Sequence, residues 1–244
     1  MTVRVSPVDV QQELIDWLDA LTEKTRQVEE HLDAIERDAE HLLALRFRDA
    51  IAHAPLRPLA EVTPTVRRTV EIDTAHRYLE VGARSFGKGL FVKPDFDCAD
   101  ATWQKPVWIK LEDLVLSNFK AWEGAIAVAE EQHDGCIASH RYFTCMPDSA
   151  TTTAGLLAYC LLSEDGLEKI GLASPGTADR NRTLSLRNLR KIEVPLPPAK
   201  SQTSFNQLQA QVAALQAKHT ASRQAGATLL PATLERVFQT ETRT

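Results

Sequence analysis

The glycine-rich stretch Gly82–Gly89 has the spacing of a phosphate-binding loop. Its letters, GARSFGKG, fit the pattern G-x-x-x-x-G-K and follow a predicted strand. Gly89, however, stands where such loops place a Ser or Thr that binds Mg²⁺, and the β-type segment LFVKP follows in place of a helix. Nucleotide hydrolysis is therefore disfavoured. We interpret the glycines as a tight turn that presents Arg84, Ser85 and Lys88.

A second group of residues has the chemistry of a metal site. His133, Cys136, His140 and Cys145 lie close together in the chain, and imidazole and thiolate groups are the usual ligands of zinc. Their spacing matches none of the paired zinc signatures, and such side chains in β-hairpins more often pack or form hydrogen bonds. We therefore expect no metal site here.

Other catalytic patterns are missing from the sequence. It contains no nucleophile elbow, HExxH, paired CxxC or dinucleotide-binding GxGxxG. Asp95 and Asp97 are neighbours, but no lysine completes a nuclease arrangement, and surface solvation explains them. The sequence thus indicates no catalytic centre in this chain.

Basic residues are concentrated locally, although the net charge is −5. Residues 1–81 contain 10 basic against 16 acidic side chains. Residues 174–191 contain one acidic side chain and five basic ones, namely Arg180, Arg182, Arg187, Arg190 and Lys191. Such a patch suits phosphate groups, whereas the alternative is a solvated loop and helix face.

The overall composition is that of an ordinary soluble globular protein. Of 244 residues, 43% are hydrophobic and 25% are charged. No apolar run approaches the ~18 residues of a membrane span, and no secretion signal is visible. The four cysteines, Cys98, Cys136, Cys145 and Cys160, are too scattered for a disulfide scaffold, so we expect a reducing cytoplasm.

Two long helices are predicted at the ends of the chain. The first runs from Ser6-Pro7 to about Ala52, and its apolar positions alternate in steps of four and three: Leu14, Leu18, Leu21, Thr25, Val28, Leu32, Ile35, Ala39 and Leu42. This narrow seam must lie along another helix. A second seam follows the PLPP segment (195–198), with an interruption near Gly226 and Pro231; its members are Phe205, Leu208, Val212 and Leu215.

Short β-type segments fill the region between these helices. RYLEV, GLFV, PVWIK, AIAVA and RYFTC, all within residues 77–147, are separated by Gly, Pro and Asp. A helix over 154–170, a short helix over 184–190 and a strand over 192–194 follow. The predicted fold class is α+β: one globular domain with a small mixed sheet, flanked by two long helices that form a coiled coil. The predicted boundaries are 1–54, 55–195 and 196–244.

The two ends of the chain are similar to each other. Aligning residues 7–11 with 198–202 places Leu14 opposite Phe205 and Leu21 opposite Val212, and residues 41–51 resemble 227–238. This similarity predicts an approximate twofold design, folded within one chain or completed by a second copy. The alternative is chance alignment of two amphipathic helices.

Several segments together resemble the specificity subunit of type I restriction-modification systems. They are RYLEVGARSFGKGLFVKP, LEDLVLSNFKAWEGAIAVAE, ASHRYFTC and ASPGTADRNRTLSLRNLRKIEVPLPP, and their order is as specific as their letters. The resemblance implies a target recognition domain that reads half of a split DNA site, and helices that set the distance to a second such domain. This chain has one recognition domain where the usual subunit has two, so it resembles a half-subunit.

The resemblance also implies which partners and residues carry the function. The methyltransferase subunit of the family binds S-adenosylmethionine and the motor subunit cleaves DNA, so neither activity nor a cofactor is expected in this chain. A homodimer, or pairing with a second half-subunit, is expected. From residue type and loop position we expect DNA contacts from two clusters. The first is Arg84, Ser85, Phe86 and Lys88, and the second is Ser139, His140 and Arg141 with Arg180, Asn181 and Arg182. For Trp103, Trp108, Phe119 and Trp122 a core position is expected.

Two other classes of function remain open on the sequence. A coiled-coil scaffold or anti-restriction protein would bind the methyltransferase subunit without reading DNA, and the acidic balance permits this. DNA retention with and without the methyltransferase separates the two. A standalone enzyme would show hydrolysis or methyl transfer by the purified chain, which we do not expect.

Overall fold

The chain folds as two compact units. The computed structural model describes residues 7–73, 75–93, 105–176 and 182–241. The helical unit comprises Met1–Phe47 and Gln207–Thr244, and the central unit comprises Arg48–Asn206.

Helix α1, Val8–Ile51, confirms the first long helix predicted from the sequence. Pro7 precedes it, and the Pro7 carbonyl accepts from the backbone N–H of Gln11 at 3.0 Å; Ser6, the expected cap, lies outside the described residues. The half-buried or buried positions include Leu14, Leu18, Leu21, Thr25, Leu32, Glu36, Ala39, Leu43 and Phe47.

The register of this seam differs from the expected one in its second half. Ile35 and Leu42 are exposed, whereas Glu36 and Leu43 lie inward, and Val28 is also exposed. A straight helix has 3.6 residues per turn, so its inward face moves away from a strict 3.5-residue repeat within a few turns. The prediction that Val28 and Ile35 contact a partner stays a prediction.

Helix α6, Ala199–Glu241, is continuous, so the interruption expected at Gly226 and Pro231 was wrong. Proline removes one backbone donor, and a helix of 43 residues retains its other hydrogen bonds. The expected inward residues Phe205, Leu208, Val212 and Leu215 are all buried or half-buried.

A polar cluster joins α1 to α6 within the helical unit. The Arg223 guanidinium donates to Glu36 Oε1 at 2.8 Å and to Asp33 Oδ1 at 2.6 Å. Nδ1 of the buried His219 lies 3.0 Å from Glu36 Oε1. The hydrogen bond from Arg223 lowers the pKa of Glu36, with a smaller contribution from His219. This cluster fixes the relative register of the two helices because charged groups on a seam tolerate few alternative pairings.

The central unit is built on short antiparallel strands. β2, β9, β6 and β7 form one sheet in that order, and β1 pairs with β10, β3 with β4, and β5 with β8. The bounds are β1 Leu56–Pro58, β2 Thr65–Val66, β3 Val81–Ala83, β4 Leu90–Val92, β5 Val107–Trp108, β6 Leu114–Ser117, β7 Ile126–Val128, β8 Ile137–Ala138, β9 Tyr142–Cys145 and β10 Glu193–Pro195. The helices of this unit are α2 Leu59–Val62, α3 Ala154–Leu162, α4 Glu164–Leu172 and α5 Leu186–Leu189.

Strand β6 is one of the two inner strands of the four-stranded sheet, and the sequence did not predict it. All four of its residues are buried, and Leu116 pairs with Ile126 on one side and Phe143 on the other. A short run buried on both faces shows no alternation of polar and apolar residues, so its period does not distinguish a strand from a helix.

Ser163 divides the single helix that was expected over 154–170. Its hydroxyl donates to the Cys160 carbonyl at 2.6 Å and accepts from the backbone N–H of Gly166 at 3.2 Å. The same residue therefore ends α3 and caps the N-terminus of α4.

A buried ion pair connects the start of the central unit to β6. Arg68 forms two hydrogen bonds with the buried Asp113 carboxylate, at 2.7 and 3.1 Å. The backbone N–H of Lys110 also donates to Asp113, at 2.8 Å. Asp113 immediately precedes β6, so this bidentate pair anchors the central strand.

The beginning of α6 packs against α3. The buried Gln202 side chain donates to the carbonyls of Thr151 and Pro197, each at 2.9 Å. Phe205, only 3% exposed, meets the Tyr159 ring edge-on at a centroid distance of 5.0 Å. These contacts hold the first turns of α6 within the central unit.

Candidate functional site

The loop between β6 and β7, residues 118–124, is the point at which the predicted contact residues meet. We call it the hub loop. It contains a 3₁₀ turn, Ala121–Glu123, and ends at Gly124, whose φ of 80° is the left-handed conformation that glycine adopts readily. Ser117 and Ala125, paired by a backbone hydrogen bond of 3.0 Å, close its base. The sheet thus holds the hub loop at the end of the β6–β7 hairpin.

The first predicted cluster is the turn between β3 and β4, residues 84–89. Backbone N–H groups of Phe86 and Gly87 donate to the carbonyls of Glu123 and Gly124, at 2.7 and 2.9 Å. The Ser85 hydroxyl donates to the Glu123 carboxylate at 2.9 Å. These three hydrogen bonds fix the turn on the hub loop. Strand β4 follows the glycines, as the sequence predicted.

Arg84 is oriented by an aromatic ring. Gly82 and Phe91 are paired across β3 and β4, and the Phe91 ring covers the space where a side chain at Gly82 would stand. The Arg84 guanidinium lies 4.7 Å from the centre of this ring. Lys88, on the same turn, is exposed.

The second predicted cluster lies between β8 and β9 and also reaches the hub loop. The Arg141 carbonyl accepts from the backbone N–H of Asn118 at 2.8 Å, and the Arg141 guanidinium lies 4.4 Å from the centre of the Phe119 ring. The Ser139 hydroxyl accepts from the backbone N–H of Arg141 at 3.2 Å. Nδ1 of His140 is buried and has no hydrogen-bond partner among the described residues.

Arg182 approaches the hub loop from a third direction. Its guanidinium lies 4.9 Å from the centre of the Trp122 ring and donates to the carbonyls of Gly171 and Ser174, at 3.1 and 3.3 Å. Arg182 therefore stabilises the C-terminal end of α4. Arg180 and Asn181, predicted beside it, lie outside the described residues.

The four segments carry a strongly positive local charge. Within residues 84–89, 118–124, 139–141 and 182–185 there are five basic side chains and one acid, Glu123, a net charge of +4 in a chain of net charge −5. Lys120 donates to Glu123 at 2.5 Å, and this hydrogen bond lowers the pKa of that carboxyl. The site is thus basic although the chain is acidic.

Aromatic rings serve as platforms for these cations. Phe119 and Trp122 are half-buried, and they lie beneath Arg141 and Arg182, while Lys120 lies 5.3 Å from the Trp122 ring. Each ring limits the rotamers of a long basic side chain. Arg182 uses its donors within the fold, whereas Arg141 is exposed. Trp108 is half-buried against Tyr78, and Trp103 lies outside the described residues.

The residues considered for a metal are used in other ways. The His133 Nδ1 accepts from the backbone N–H of Glu130 at 3.0 Å, which closes a capping box. Burial raises the pKa of the Cys136 thiol, and raises that of the Cys145 thiol to about 11. Among the described residues, no three His, Cys, Asp or Glu side chains are grouped so that they could hold a metal ion.

The hub loop is what sequence reasoning missed. Its letters, NFKAWEG, combine an amide, two aromatic rings, a lysine and a turn glycine, which is a composition typical of a binding loop. It was missed because β6 was not predicted from the sequence. Without a strand before it, the segment could not be recognised as the connection of a hairpin. The exposed Arg187, Arg190 and Lys191 of the predicted basic patch lie on and after α5, and none of them is joined to the hub loop by a hydrogen bond, ion pair or ring contact that the structure describes.

Comparison with known proteins identifies the fold. No family model and no curated protein matches the chain. A solved structure described as the structural basis of complex assembly and conformational transition of the type I R-M system matches with a TM-score of 0.63 and 21% identity, over 96% of this chain and 60% of that one. The HsdS subunit from Thermoanaerobacter tengcongensis matches with a TM-score of 0.55 and 20% identity, over 96% and 59%.

These likenesses confirm the predicted fold. The chain has the fold of these subunits and spans about 60% of their length. Among the described residues, no helix is long and apolar enough to cross a membrane.

Proposed function

We propose that this chain is the DNA-recognition subunit of a type I-like restriction-modification system and reads one half of a split site. The observation that carries the proposal is the convergence of described residues from both predicted clusters on the hub loop, with a local charge of +4. The fold shared with solved subunits of such systems supports it.

The geometry of the site suits double-stranded DNA. The planar guanidinium groups of Arg84 and Arg141 are held over aromatic rings. This arrangement favours bidentate contacts to guanine edges or to phosphates. Lys88 carries a flexible point charge suited to phosphates. The loops thus supply both positioning and sequence-reading groups.

The chain acts without catalysing a reaction itself. It positions a DNA methyltransferase subunit, which supplies S-adenosylmethionine, and a restriction subunit where the system has one. The long helices α1 and α6 are the elements on which these subunits dock, and their polar cluster at Glu36 and Arg223 keeps the two helices in one register.

A second recognition domain completes the split site. The start of α6 packs on α3 through Phe205. In the similar start of α1, Val8 and Ile15 are 80% and 50% exposed. An apolar helix start of this kind suits contact with another recognition domain, supplied by a second copy or by a second half-subunit.

Methylation mapping tests the proposal. Cells that carry this chain with its cognate methyltransferase are expected to show a split motif, and omission of the chain removes that methylation. In parallel, retention of a random duplex pool by the purified chain, with and without the methyltransferase, is measured. A chain that binds the methyltransferase but retains no duplex in either condition is a scaffold or anti-restriction protein, and the proposal is then wrong.

A further inference from the structure

Phe86 has an unusual conformation at the tip of the turn between β3 and β4. Its side chain is 77% exposed, and its φ of 62° lies in the left-handed region that phenylalanine rarely adopts. Exposure of an apolar ring and backbone strain are both unfavourable. Glycine at this position would relieve both, so the ring requires an explanation outside the folding of the turn.

The hub loop holds the ring outward. The backbone N–H groups of Phe86 and Gly87 are bonded to the Glu123 and Gly124 carbonyls, so the tip is tied at two successive residues. A Cβ atom at Gly124 would lie 3.3 Å from both N and Cα of Phe86, so only glycine allows this close approach without displacement. The Ser85 hydroxyl adds a third attachment, to the Glu123 side chain. The ring is thus presented by a rigid support.

The surroundings of the ring favour a nucleic-acid partner over a protein one. Within the described parts of the four segments, Phe86 is the only large apolar side chain that is exposed. Arg84 and Lys88 flank it on the same turn, and Lys120 and Arg141 extend from the adjoining loops. A protein interface normally buries several apolar side chains around its anchor, whereas one ring among cations suits a base stack between phosphates.

We infer that Phe86 is a wedge that enters a base step and partly unstacks it, an inference that rests on the proposed function. The surrounding cations bind the phosphates on either side of the step. The rigid turn keeps the ring in position as the duplex binds. Pyrimidine–purine steps unstack most readily, so the wedge selects such a step through its deformability rather than through hydrogen bonds. The strained φ is retained because it aims the ring at the duplex.

Fluorescent base substitution tests the wedge. A duplex is first enriched from a random pool by the wild-type chain, and 2-aminopurine is then placed at each position in turn. The wild-type chain is expected to raise the fluorescence at one step, because unstacking relieves quenching. Phe86→Gly is expected to abolish this rise and to weaken binding by about tenfold to a hundredfold, whereas Phe86→Trp retains both.

Two controls separate the wedge from loss of folding. Phe86→Gly relaxes the left-handed backbone, so its thermal unfolding temperature is expected to equal or exceed that of the wild type. Leu79→Ala removes another exposed apolar side chain of the central unit and is expected to leave binding and fluorescence unchanged.

Each alternative result has a distinct meaning. If Phe86→Gly binds the enriched duplex within twofold of the wild type, or if the fluorescence rise persists, the wedge inference is wrong and the proposed function stands. If Phe86→Gly loses methyltransferase binding while DNA binding is unchanged, the ring is a protein contact and the inference is again overturned. If the wild-type chain enriches no duplex, the proposed function fails and the wedge with it.

Discussion

Glu123 is the residue whose replacement most directly tests the arrangement of the hub loop. Its carboxylate pairs with Lys120 at 2.5 Å and accepts from the Ser85 hydroxyl at 2.9 Å, and it is the one acid within the described parts of the four site segments. Glu123→Gln keeps the size of the side chain and removes its charge. Lys120 is then free to contact a DNA phosphate.

The expected effect is on the salt dependence of DNA binding. Each additional phosphate contact steepens the slope of log K against log salt by about 0.9. Between 50 and 200 mM salt, one extra contact changes the affinity ratio of variant to wild type by roughly 3.5-fold, in favour of the variant at low salt. Lys88→Ala is expected to change the slope by a similar amount in the opposite direction. Fluorescence anisotropy across a salt series measures both slopes.

A matched control separates local contact from overall charge. Glu131→Gln makes the same change in net charge at an exposed acid outside the four segments. Its slope is expected to equal that of the wild type, because exposed charges beyond about 10 Å are screened. If Glu123→Gln behaves like Glu131→Gln, the hub loop does not face phosphates and the assigned DNA surface is incorrect.

Three further predictions concern stability and assembly. Asp113→Ala is expected to destabilise the central unit by about 3–5 kcal/mol, because it leaves a partly buried guanidinium unpaired, and urea unfolding measures this; a loss below ~1 kcal/mol would show that the pair does not anchor β6. The pKa of Glu36 is lowered, so its contribution to the helical unit is present above its ordinary value of 4.5 and is lost as the pH falls further. Thermal unfolding should therefore show Glu36→Gln less stable than the wild type at pH 7, with a difference that shrinks below pH ~4.5; a constant difference contradicts the assignment. Leu21→Asp combined with Leu32→Asp places charges on the inward face of α1 and is expected to abolish assembly with the methyltransferase or a second copy, while the central unit stays folded. Sedimentation and the urea midpoint of the central unit check this, and retained assembly would rule out docking on these helices.

The secondary structure shows where local signals suffice. The seam of α1 and the proline before it predicted a helix that the structure confirms as Val8–Ile51, because an amphipathic period over many turns has no other solution. The same reasoning failed at α6, where Pro231 did not interrupt the helix. A proline removes only a few backbone hydrogen bonds, whereas the packing of a whole seam stabilises the helix along its full length.

The candidate site shows where local signals are insufficient. Arg84, Ser85 and Arg141 were selected by residue type and turn position. The structure places Ser85 and Arg141 against the hub loop, and Arg84 against the Phe91 ring. The role of Arg182 in holding the end of α4 was not predictable, because its carbonyl partners are Gly171 and Ser174 in another element. Whether a cation is used within the fold or remains available depends on such non-local contacts.

The turn at Gly82–Gly89 shows what sequence and tertiary structure each determined. The sequence alone disfavoured nucleotide hydrolysis there, because the β-type segment LFVKP stands where a helix should follow. It also predicted a glycine-supported turn rich in polar and basic groups. Only the tertiary structure decided that this turn, and two others distant in the chain, meet on one loop. That loop follows a strand buried on both faces, and such burial exists only once the rest of the sheet has formed around it.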